Sequence, residues 1–122
     1  MLEPKDFCTT ETIEHLQSVG ITVDTDRPIS LYEAQKLLRK QLRVFVDIPL
    51  TSYLGHFNPS IANYKVRIYM VECPITSNPL IAYSRTQDGS CYEFVEYEDA
   101  LQFGIQSACK SYKAMRDKKS QL

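Results

Sequence analysis

Between Ser30 and Ile48 the hydrophobic period changes with no spacer in between. Leu31, Ala34, Leu37, Leu38 and Leu42 recur at the helical period of about 3.6 residues. From Arg43 onward "RVFVDI" alternates, with Val44, Val46 and Ile48 on one side, as a strand does. Ser30 followed by Glu33 predicts a capping box, in which the hydroxyl accepts from the Glu33 amide and the carboxylate reaches back. A helix that runs directly into a strand places the chain in a mixed α and β class.

The rest of the pattern agrees. Thr9 and Thr10 predict the start of a short helix with Ile13, Leu16 and Val19 inward, and Gly20 ends it. "YKVRIYMVE", 64–72, is the best strand, with Val66, Ile68 and Met70 on one side. "LIAYSRT" predicts another strand, "QDGS" a tight hairpin, and "CYEFV" one more short strand. A closing helix is predicted from Tyr97 to Met115, with Tyr97, Leu101, Gly104, Ile105, Ala108, Tyr112 and Met115 on one face. Gly104 and Ala108 are small and would let that helix approach a sheet closely. The expected fold is α+β, an antiparallel sheet of three to four strands with helices on one face, ordered α-α-β-β-β-(β)-α. Residues 1–8 are expected to be irregular, 9–116 to form the domain and 117–122 to fray.

At 122 residues the chain suits one domain with its own core. A net charge of −1 argues against a strongly basic nucleic-acid binder. Acids gather in the first thirty residues and in "EFVEYED", and bases gather in the last helix, where helix dipoles favour them. "MLEPKDFC" lacks the apolar core of a signal peptide, and no run is long enough for a membrane span. Cys8, Cys73, Cys91 and Cys109 are widely spaced, and with His15 and His56 they form no zinc-ligand pattern. A reduced, cytoplasmic chain without metal or cofactor is the expectation.

No catalytic set emerges. His56, in "YLGHFNP", lacks the partner and orienting group that a general base needs. Cys73 and Cys109 read as small hydrophobes. Isolated glycines make no phosphate cradle, and "EFVEYED" lacks calcium-loop spacing and suits a helix start. The connection 49–63 is apolar for a solvated loop, with Tyr53, Leu54 and Phe57. It is expected to pack down or to order on binding.

One surface stands out. If Val44, Val46, Val66, Ile68 and Met70 face the helices, the other sheet face carries Arg43, Phe45, Lys65, Arg67 and Tyr69, joined by Tyr83 and Arg85 in one register. Bases interleaved with aromatics suit three uses: a solvated face, a protein or homodimer contact, and single-stranded nucleic acid. The α-β-β-β-α order is also that of double-stranded-RNA-binding domains. Glu96, Glu98 and Asp99 stand where such a domain needs bases, which counts against that use.

Taken together, "CTTETIEHLQSVGI", "SLYEAQKLLRKQLRVFVDI", "YKVRIYMVE" and "YEDALQFGIQSACKSY" resemble a group of small uncharacterised proteins encoded by phages and mobile elements of gut anaerobic bacteria. Cys8, Thr9, Leu16, Gly20, Leu38, Ile68, Tyr69, Tyr97, Glu98, Ala100, Leu101, Gly104 and Ile105 carry the match, and it covers most of the chain. The resemblance implies an accessory protein and brings no catalytic residues. The expected function is a non-enzymatic interaction module that binds protein or itself through the open sheet face or the 49–63 loop, with nucleic-acid binding through that face as the alternative.

Overall fold

The computed structural model describes residues 2–50, 63–76 and 78–120. The described residues form an α+β fold. The start of the chain, expected to be irregular, contains a single 3-10 turn at Pro4–Asp6. The Cys8 amide then donates to the Ile29 carbonyl at 2.8 Å.

Helix α1 is Thr10–Ser18, capped by the Thr9 hydroxyl, which accepts from the Thr12 amide. Gly20 ends it at φ 86. The Gly20 and Ile21 amides close back on the Gln17 and Leu16 carbonyls, at 3.0 and 3.1 Å. This is a Schellman turn, and Ile21 and Leu16 are both buried beside it.

Helix α2 is Leu31–Leu42, and Ser30 Oγ accepts from the Glu33 amide at 3.0 Å. Only half of the expected capping box closes. The Glu33 carboxylate takes two bonds from the Arg27 guanidinium, at 3.0 and 2.9 Å. A bidentate charged pair outcompetes a single bond to an amide. Arg43 follows in the left-handed region, at φ 55 and ψ 39, and turns the helix into strand β1, Val44–Asp47.

The expected strand 64–72 is split. Tyr64–Lys65 forms β2 and Arg67–Met70 forms β3, with Val66 between them. β3 is central to an antiparallel sheet of order β1-β3-β4, where β4 is Leu80–Tyr83. β2 pairs instead with β5, Glu93–Phe94, in a second, two-stranded sheet. The chain changes partners at Val66: the Lys65 amide donates to Pro49, and the Val66 carbonyl accepts from Ser84. The expected tight hairpin is a turn with a three-residue loop. The Gly89 amide bonds to the Thr86 carbonyl, Thr86 to Ser90, and Gly89 sits at φ 90.

Helix α3 is Tyr97–Ser120, so it runs past Met115 through most of the stretch expected to fray. Lys118 and Lys119 suit the negative end of its dipole, and Lys113 pairs with Asp117 one turn on, at 3.6 Å. Leu101, Gly104, Ile105 and Ala108 are buried against Val44, Val46, Val66, Ile68 and Met70. Gly104 allows the contact. A Cβ there would stand 2.7 Å from Val46 Cγ1 and 3.0 Å from Val66 Cγ1. Around the start of α3, Phe103 packs on Tyr92 and Phe94, and Tyr64 on Tyr97. A polar tie joins α3 to α1. Gln102 Oε1 accepts from the Thr9 amide and the Thr12 hydroxyl, and its Nε2 donates to the Phe7 carbonyl.

Candidate interaction surface

Among the described residues, the helices cover one face of the three-stranded sheet and no element covers the other. Register decides what the open face carries. Val44 and Val46 pair with Met70 and Ile68 and point inward. Phe45 and Asp47 therefore point outward, opposite Tyr69 and Arg67. Ile81 and Tyr83 extend the same two rows across β4. One row is thus Phe45, Tyr69 and Ile81, and the next is Asp47, Arg67 and Tyr83.

Of the seven residues expected on this face, four come together: Phe45, Arg67, Tyr69 and Tyr83. Three do not. Arg43 precedes the strand, and its left-handed backbone caps α2. Lys65 belongs to the two-stranded sheet, opposite Glu93. Arg85 lies past the end of β4, where Nη1 donates to the Gly89 carbonyl at 2.9 Å. Splitting one long strand into two sheets removes Lys65, and the hairpin turn claims Arg85.

Two residues of this face were not foreseen, and each follows from simple alternation. Asp47 shares the side of Phe45, and Ile81 the side of Tyr83. Neither is a base or an aromatic, so the basic and aromatic pattern does not include them. Asp47 matters because its carboxylate hydrogen-bonds Arg67, and that bond holds the guanidinium pKa up. Arg67, the cation on the central strand of the open face, is thereby paired.

What remains is apolar. Ile81 is 61% exposed and Phe45 39%. The Phe45 and Tyr69 rings meet edge to face with centroids 6.0 Å apart. Gln35 and Arg39 of α2 flank the row, and the hollow they frame measures about 570 Å³. Gln35 also donates to the Val46 carbonyl at 2.7 Å, which blocks the outer edge of β1.

Among the described residues, no group of three or more His, Cys, Asp or Glu side chains could hold a metal ion. No helix among them is long and apolar enough to cross a membrane. Burial pushes the Cys109 thiol up to about 12 and the Cys8 thiol up to about 11, so both are protonated at neutral pH. His56 and most of the 49–63 connection lie outside the described residues. Comparison with protein-family models, with curated proteins and with solved structures finds no match.

Proposed function

We propose that this protein is a small, non-enzymatic interaction module that binds protein through its open sheet face. One observation carries the reading: Phe45, Tyr69, Ile81 and Tyr83 form a continuous apolar and aromatic row system on a sheet face that no helix covers among the described residues. Burying such side chains adds nothing to the fold's own core, and their chemistry is that of protein contact sites. An accessory role in a phage or mobile element, acting in the cytoplasm, fits the sequence resemblance and needs no catalytic centre.

Nucleic-acid binding is the weaker reading. It requires free cations beside the rings. Arg67 is paired with Asp47, Lys65 lies on the other sheet, and Arg85 bonds to the hairpin backbone, which leaves Arg39 as the unpaired cation beside the rings among the described residues.

A displayed library of random peptides, panned against the protein, tests the proposal. Enriched sequences should bind the wild type and fail to bind Phe45→Ser/Ile81→Ser. No enrichment above an unrelated control protein would refute it.

A further inference from the structure

Ile68 and Met70 are buried under the helices, but their β4 partners are not. Ala82, opposite Ile68, is exposed, and Leu80, opposite Met70, is half-buried. The cause is the course of α3, which packs on β1 and β3 rather than on β4. A groove of about 310 Å³ opens between them. Leu80 and Ala82 form one wall, and Phe103, Ser107 and Met115 the other. From Phe103 to Met115 the helix rises about 18 Å, the length of about five extended residues.

The edge of β4 is the first clue to an occupant. The Ser84 amide donates inward to the Val66 carbonyl at 2.9 Å. Antiparallel alternation then turns the main-chain N–H and C=O groups of Ile81 and Tyr83 outward. Among the described residues β4 has a neighbouring strand on one side only, and its residues Leu80–Tyr83 carry no charge or proline to discourage pairing.

Charge is the second clue. The charged side chains lining the groove are Arg85 and Lys110, and both are cationic. Neither forms a salt bridge among the described residues; Arg85 gives one donor to the Gly89 carbonyl but keeps its charge, and Lys110 forms no such bond among them. The groove is mostly apolar along its walls, with Ser84, Ser107 and Ser111 among them, and positive at its rim.

We propose that this groove binds an extended peptide segment of a partner protein, with acidic and apolar residues, added as a new strand beside β4. This rests on the protein-binding reading above and supplies its mode and its charge. The outward groups of Ile81 and Tyr83 hold the segment's backbone. Alternate side chains enter the groove, apolar ones against Phe103 and Met115, acidic ones toward Lys110 and Arg85. The remaining side chains continue the open face beside Ile81 and Tyr83. A second copy of the chain fits less well, because its own β4 brings no acid to meet the two cations.

The probe is a displayed library of random peptides of about ten residues, the upper range of strand length. It is panned against the intact protein and against Arg85→Glu/Lys110→Glu. The wild type should enrich acidic and apolar sequences, and the charge-reversed variant basic ones. For a synthesised wild-type selectant, Lys110→Glu should weaken binding by roughly tenfold or more. Binding should slow amide exchange at Ile81 and Tyr83. Ile81→Pro, which removes an outward donor but no ladder bond, should also weaken it. Selected sequences without acidic bias, or bound peptide that leaves Ile81 and Tyr83 exchanging freely, would overturn the proposal. Binding lost in Phe45→Ser but untouched by charge reversal would overturn the groove and keep the protein-binding reading. No enrichment at all would overturn both.

Discussion

Asp47 and Arg67 stand directly opposite each other on β1 and β3, and their side chains join across the open face. Both are partly exposed, so the pair adds little stability. Its effect is on the surface: it pairs the cation on the central strand, while Arg39 at the edge of the rings has no salt bridge among the described residues. Removing the acid should restore the basic, aromatic character that the sequence suggested. Asp47→Ala is expected to bind single-stranded oligonucleotides at low salt more tightly than the wild type, with a steeper salt dependence. Fluorescence anisotropy across a salt series measures this. Equal binding by the two proteins would show that the pair does not set the charge of the face.

Gly104 should not tolerate a side chain. Alanine favours helix by about 1 kcal/mol over glycine. Here its Cβ would press on Val46 and Val66, both branched and buried, and such overpacking costs about 1–3 kcal/mol. We expect Gly104→Ala to lose about 1 kcal/mol net in urea unfolding. Gly104→Leu should not fold.

Arg43 was expected to serve the sheet face, but its place in the fold is conformational. At φ 55 it holds a conformation that costs an ordinary residue about 1 kcal/mol and glycine little. Arg43→Gly should therefore raise stability, by up to about 1 kcal/mol in the same assay. A loss would mean that its side chain contributes contacts to the fold.

Cys109 makes stability fall in alkali. Its thiol has a folded pKa raised to about 12 by burial, above the ordinary value of 9.0. Between these values the unfolded chain has lost the proton that the folded chain keeps. The thiol's contribution is thus complete below the ordinary value and declines as pH rises through the window, by at most about 1.4 kcal/mol per pH unit. Cys109→Ala should show a shallower decline than the wild type in urea unfolding between neutral pH and the lower part of that window.

The elements were legible in the sequence because each rests on a local signal. Gly20 stops α1, Ser30 caps α2, and the alternation after Arg43 orients Val44 and Val46 inward. The close approach at Gly104 was legible too, from two small residues one turn apart on an apolar stripe. Partner choice was not. Nothing local to "YKVRIYMVE" says that Lys65 pairs with Glu93 while Arg67 pairs with Asp47 and Tyr83. Those pairings depend on distant strands and decide which side chains share a surface. Half of the capping box failed for a similar reason, since Arg27 reaches Glu33 from the preceding loop. The groove beside β4 depends on how far α3 extends across the sheet, which no periodicity reports.

On the proposed reading, the apolar residues of the open face serve contact rather than folding. Measuring unfolding free energy and peptide binding together for Phe45→Ser/Ile81→Ser tests it most directly. Stability is expected to stay within about 0.5 kcal/mol of the wild type, as for surface substitutions, with binding lost. Stability lower by more than about 1 kcal/mol with binding intact would contradict it, and would assign these side chains to the fold itself.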